Sequence, residues 1–180
     1  MCTDPKWTIL GFAVVDPVLP DGAAQKLKLN HRPRDPDLVT LLERSPPEDE
    51  TMAREWFEIL SDCASGKLFY LLWKQFSFLT ISVELSLSCL RKLSETPFVP
   101  VDSTGYQGDF KKLRPDQCFL GKERSELNSK LFAFVDFGTR ANKFLKCCYA
   151  RVEGPSAEDI AQVLLADPWK AYQLANGRKK

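Results

Sequence analysis

Apolar residues recur along this chain with two different periods, and the period that prevails in each stretch sets the expected element. Leu38, Val39, Leu41 and Leu42 return at helical spacing between Asp35-Pro36 and Pro46-Pro47. An Asp N-cap and a proline at the first helical position, where its missing N–H costs nothing, open a helix, and the later prolines close it. Glu48, Asp49 and Glu50 complement the dipole of a second helix. Its face of Met52, Trp56 and Ile59/Leu60, with Ala53 and Phe57 beside them, reads as core rather than as a cofactor box, and it fades at Ser65-Gly66. From Thr80 to Cys89 polar and apolar residues alternate, the pattern of a strand with one wet face. Leu87, Leu90 and Leu93 fit a helix running into Ser94 equally well, so both readings stand there. Ile9–Val15 is a predicted strand, followed by turn chemistry at Asp16-Pro17 and Pro20-Asp21-Gly22.

The last third reads more simply. Phe98-Val99-Pro100-Val101 is a short extended piece, and a polar loop with Gly105 and Gly108 leads to Lys111-Lys112-Leu113-Arg114-Pro115. Leu131–Phe137 is a strand-like run closed by Gly138, and a helix carrying Ala141, Phe144, Leu145 and Cys148 follows it. Ser156 and Asp159 have capping-box spacing before Ile160, Val163 and Leu164. Asp167-Pro168 opens a final helix with Trp169, Tyr172 and Leu174, stopped near Gly177. Strands mixed with segregated helices make the expected class α+β: helix-rich with a few short strands, and mainly α-helical towards the C-terminus.

Composition narrows the function classes. With 180 residues, 44% hydrophobic and 27% charged, the chain can build a core. Its formal charge of +1, from 25 basic and 24 acidic side chains, gives no footprint for nucleic acid or an anionic membrane. Leu68–Leu90 is the most apolar stretch, but Lys74, Gln75 and Glu84 interrupt it, so it reads as buried rather than membrane-spanning. Met1-Cys2-Thr3-Asp4-Pro5 lacks the charged leader and apolar run of a signal peptide. Six cysteines without a C-x-x-C pair, with His31 as the one histidine, argue against zinc and for reduced thiols in an intracellular, cytoplasmic protein. No cofactor or metal is expected.

The motif that invites chemistry is Asp136-Phe137-Gly138, the three letters with which protein kinases hold magnesium. Phosphoryl transfer needs the whole constellation. No G-x-G-x-x-G and no A-P-E occur, and His31-Arg32-Pro33-Arg34-Asp35 is not an H-R-D loop. A G-x-S-x-G elbow and a P-loop are also missing. No catalytic residue is therefore expected, and the chain reads as non-enzymatic. A rival reading places a small-ligand or phosphate site, or an enzyme centre, at the strand–helix junction Asp136, Gly138, Arg140, Asn142 and Lys143, where helix N–H groups favour anions. The plainer account is that Asp136 or Thr139 caps the helix while Asn142 ties down the loop.

Three stretches carry a resemblance: His31–Ser61, Leu93–Leu120 with its PFVP and KKLRPDQ segments, and Leu131–Pro168 with VDFGTRANKFL. Together they resemble the fungal sacsin-like group, in which a domain of unknown function accompanies an HSP90-type (GHKL) ATPase domain. The ATP-binding motifs of that ATPase are absent here, so the resemblance implies a non-catalytic architectural or protein-interaction segment of a chaperone-like protein, a fragment whose partner is another protein. It makes Arg114, Asp136, Gly138, Arg140, Asn142 and Lys143 family markers. Cys147-Cys148-Tyr149-Ala150-Arg151 stands where the group tends to have a Cys-Gly-Val-like turn. The resemblance lapses over Phe69–Leu85, which divides the chain into 1–67, a strand and two helices; 68–86, an insertion or translated intron; and 87–180, a small α+β segment with C-terminal helices.

Overall fold

The computed structural model describes residues 1–15, 23–64, 85–101, 111–122, 126–169 and 172. Its helices are α1 (Ala23–Lys26), α2 (Asp35–Arg44), α3 (Glu50–Ala64), α4 (Leu87–Ser94), α5 (Glu126–Leu131), α6 (Thr139–Cys147) and α7 (Ala157–Ala166). The strands β1 (Val99–Val101), β2 (Lys111–Leu113), β3 (Cys118–Leu120) and β4 (Ala133–Val135) form two separate pairs. The fold is α+β. Among the described residues no helix is long and apolar enough to cross a membrane.

The N-terminal run departs from its predicted strand. Pro5–Leu10 is a 3-10 helix, held at its start by the Lys6 N–H donating to Asp4 Oδ1 at 3.1 Å. Pro5 presets the helical φ, Trp7 and Leu10 go inward one turn apart, and Gly11 ends the helix at φ 80°. Only Val14 pairs, in an isolated parallel bridge with Cys2. The turn residues 16–22 lie outside the described residues.

α2 begins as the periodicity requires, but its cap lies one residue earlier than expected. Arg34 takes the cap position with extended backbone and no side-chain cap, and Asp35 is already helical. The Asp35 carboxylate instead accepts Arg32 Nη2 at 2.9 Å and the Ser86 N–H at 2.8 Å, which joins the starts of α2 and α4. In α3 the cap is Asp49, whose Oδ1 accepts the Met52 N–H at 2.8 Å. Leu38, Val39 and Leu42 of α2 and Ala53, Trp56, Phe57 and Leu60 of α3 are buried.

At the contested leucines the helix prevails. Ser86 caps α4, with its Oγ accepting the Cys89 N–H at 3.4 Å. Leu90 and Leu93 are buried while Leu87 is exposed, so the predicted strand is absent from 85–89, and its first part, 80–84, lies outside the described residues. Most of Leu68–Leu90, the Gly105/Gly108 loop and residues 173–180 also lie outside them.

β1 and β2 are antiparallel, Val99 opposite Leu113 and Val101 opposite Lys111, so the expected basic loop is in part a strand. β3 and β4 are parallel, Cys118 opposite Ala133 and Leu120 opposite Val135. The strand expected over Leu131–Phe137 is shortened to Ala133–Val135, because Leu131 ends α5. Between the sheets and α3 lies an aromatic core. Phe57 meets Phe98 at 5.6 Å and Phe137 at 5.3 Å, both edge-on, and Phe144 at 5.6 Å. Edge-to-face pairs add roughly 0.5–1.5 kcal/mol beyond area burial.

Candidate functional site

The strand–helix junction is built from a hydrogen-bonded loop rather than a capped helix. β4 delivers Asp136 to the surface and sends Phe137 inward, where it is 2% exposed. Gly138 follows at φ 93°, a backbone region that a side chain disfavours. A Cβ built there meets nothing within 4 Å, so the backbone angle rather than crowding requires the glycine. Asp136 Oδ1 accepts the Gly138 N–H at 3.2 Å and Asn142 Nδ2 at 3.0 Å. Asn142 Oδ1 in turn accepts the Phe137 N–H at 3.1 Å. Asn142 therefore does tie down the loop. The expected cap by Asp136 or Thr139 is not made: Gly138 is the N-cap of α6, without a side-chain cap.

These bonds engage several of the polar side chains at the junction. Arg140 Nη2 donates to Asp62 Oδ1 at 2.9 Å, and Lys6 Nζ lies 3.7 Å from the other Asp62 oxygen. Asn142 is bonded through both amide atoms. The Asp136 carboxylate already sits against the backbone N–H ahead of α6, where it repels a second anion. Lys143 is exposed on the next turn. The structure thus brings Asp136, Gly138, Arg140, Asn142 and Lys143 together but leaves Arg114 apart. Arg114 precedes the turn Pro115–Gln117, which packs against α4. Its Nε lies 3.2 Å from Asp116 Oδ1, an ion pair off the line of the N–H and so without hydrogen-bond geometry.

Five of the six cysteines have thiols held protonated by burial. All six are free. Burial pushes the Cys118 thiol up to about 12, raises Cys148 well above its ordinary value, and raises Cys2, Cys63 and Cys147 by the same desolvation. Cys148 is buried, whereas neighbouring Cys147 donates from Sγ to Ala64 O at 3.7 Å. Among the described residues no three of His, Cys, Asp and Glu converge as metal ligands.

A cleft that sequence reasoning missed lies beside the junction. It has a volume of about 470 Å³ at the carboxyl ends of β3 and β4, with Gly121 and Lys122 after one strand and Asp136 and Phe137 after the other. The Gly121 N–H donates to Val135 O at 2.9 Å and closes the pairing there. Glu50, at the start of α3, completes the rim.

The sequence matches a family described as "Protein of unknown function (DUF3684)" over residues 1–68 and 72–180. The chain belongs to the DUF3684 family. The break at residues 69–71 falls near the start of the 68–86 stretch, and the match covers the remainder of it. No curated protein and no solved structure matches the chain. The family description carries no activity, so any DUF3684 chemistry has to be argued from the chain itself.

Proposed function

We propose that this DUF3684 chain is a non-catalytic architectural and protein-interaction segment that works through packing and contact with another protein. The observation that carries the reading is the C-terminal surface. α7 buries none of its residues fully although seven of its ten are Ala, Val, Leu or Ile; Ile160, Val163 and Leu164 are half-buried and Leu165 is 79% exposed. Just beyond it Trp169 and Tyr172 are 67% and 59% exposed and stack on each other at 5.6 Å. An exposed leucine on a well-anchored helix, with exposed aromatic rings just beyond it, marks a contact surface. The bonds by which Asp136 and Asn142 hold the junction loop support the non-enzymatic half of the reading. A chaperone-like host bearing an HSP90-type ATPase domain rests on the three-stretch resemblance alone.

The test is affinity capture with the wild-type chain and with a Leu165→Ser/Trp169→Ala double variant, both verified as folded by circular dichroism. The expected result is a discrete protein retained by the wild type and lost from the variant. A folded wild-type chain that retains nothing, or a variant that retains the same protein, overturns the reading.

A further inference from the structure

We infer that the cleft at the carboxyl ends of β3 and β4 is a docking groove for an extended segment of a partner protein, one that presents an apolar side chain next to a lysine or arginine. The inference rests on the interaction reading and supplies a second contact, remote in sequence from α7. The place follows from topology. In a parallel pair the chain leaves both strands at the same end, so the two departing loops part and leave a crevice between them. Here those loops are Gly121-Lys122 and Asp136-Phe137, and the crevice has the volume of a ligand pocket at about 470 Å³.

The chemistry of the occupant follows from the groups left open. Val101, Phe134 and Phe137 are among the cleft's lining residues and suit one hydrocarbon side chain. Asp136 uses only Oδ1 in the junction, which leaves Oδ2 without a hydrogen bond among the described residues. Glu50 uses only Oε1, on Arg54 at 3.2 Å, and its Oε2 is likewise open. Two carboxylates with open oxygens on one rim favour a basic side chain and repel a phosphorylated or acidic one. Lys122 makes no ion pair or hydrogen bond among the described residues, and an ammonium in the same lining suits the main-chain carbonyls of an extended segment. The junction's own bonds hold Asp136 in place before any partner arrives, so little ordering cost falls on this side of the contact.

The experiment is a two-dimensional NMR titration of the full chain with three capped tripeptides, acetyl-Lys-Leu-Lys-amide, acetyl-Glu-Leu-Glu-amide and acetyl-phosphoserine-Leu-Lys-amide. The expected result is movement of the Gly121, Lys122 and Phe137 amide signals with the first peptide, at least about tenfold weaker with the other two. Asp136→Asn keeps the Oδ1 acceptor for Gly138 and Asn142 while removing the charge, and is expected to weaken the first peptide about tenfold without altering the fold. No movement at millimolar peptide, or an equal response to the acidic peptides, overturns the groove. So does Asp136→Asn binding as the wild type does. Affinity capture separates the two proposals: a protein lost with the α7 variant and retained by Asp136→Asn/Lys122→Ala leaves the interaction reading standing and removes the groove from it.

Discussion

Phe57 and Trp169 are both aromatic residues read from the sequence as helix-face positions, yet one is 0% exposed and the other 67%. Around Phe57, α3, the residue before β1, the junction and α6 each contribute a phenylalanine ring to one cluster. Around Trp169 the described structure offers only the stacked Tyr172. The anchoring of α7 is nevertheless sound: Ser156 and Asp159 form a reciprocal capping box, and Arg151 donates two hydrogen bonds to Asp159 at 2.9 and 2.8 Å. One region spends its apolar residues on the chain's own fold, and the other holds its helix by polar bonds while leaving apolar residues outside. A helix held in that way is available to something other than its own core.

The sharpest way to break the comparison is to truncate one residue in each region. Phe57→Ala removes a ring from a fully packed site and is expected to cost about 3–5 kcal/mol in chemical denaturation. Trp169→Ala is expected to change stability by no more than about 0.5 kcal/mol, as for other exposed positions. A cost of comparable size at both sites would show that Trp169 belongs to the core and would remove the basis for the interaction reading.

A second contrast is in pH. Cys118 opens β3 opposite Ala133, 0% exposed, and its thiol is pushed from 9.0 up to about 12. The folded state holds this proton more tightly than the unfolded chain, so the stabilisation is complete below about pH 9 and is lost as pH rises towards 12. The full loss is about 4 kcal/mol. Stability measured at steps between those limits is expected to fall less steeply in Cys118→Ala than in the wild type. Parallel slopes would mean that burial does not govern this thiol. The exposed end behaves in the opposite sense: Arg151, with Ser156, holds the Asp159 carboxyl below the usual carboxylate range, so this contribution is present above about pH 4 and fades as pH falls.

Elements whose stabilisation is local were legible in the chain. The bodies of α2 and α3, the capping box of α7 and the glycine at the end of β4 all follow from residues within a turn or two of one another. Misreadings arise where a distant group decides. Asp35 looks like a cap until Ser86, far along the chain, takes its carboxylate. The alternation ending at Cys89 looks like a strand, but Ser86 caps a helix whose Leu90 and Leu93 reach the core. Ile9–Val15 looks like a strand because apolar content alone does not reveal the 3-10 turn between Pro5 and Gly11. At the site, five of the marked residues fall between positions 136 and 143 and so were found together. The cleft was not legible, since Glu50, Lys122 and Asp136 meet only once β3 pairs with β4 and α3 packs against β1.

A third test asks whether the junction is structural in the way its bonds imply. Asn142→Ala leaves the buried Phe137 without a partner for its N–H and frees one of two donors on Asp136. The expected cost is about 1–3 kcal/mol, the penalty of an unsatisfied buried group. Asn142→Asp keeps the acceptor for the Phe137 N–H but places a second carboxylate beside Asp136, and is expected to be no better than alanine at neutral pH. Restoration of wild-type stability by aspartate would point to an acceptor-only role and would take the Asp136 contact out of the account.

The smallest expected effect is a gain. α6 ends with the Tyr149 N–H bonded to Lys146 O at 3.1 Å and the Ala150 N–H to Leu145 O at 3.0 Å, the double bond pattern of a Schellman motif. That motif places the residue after the C-cap in the left-handed region, and Tyr149 is there at φ 68°. Glycine is the usual occupant because a Cβ is disfavoured at such angles. Tyr149 is 57% exposed, so its ring contributes little packing to offset the strain. Tyr149→Gly is therefore expected to stabilise the chain by about 1 kcal/mol after allowing for the extra freedom of glycine in the unfolded state. In a thermal melt the midpoint is expected to rise by about 2–4 °C. A fall would mean that the tyrosine ring makes a stabilising contact in solution, which would move this residue from the exposed side of the comparison to the buried one.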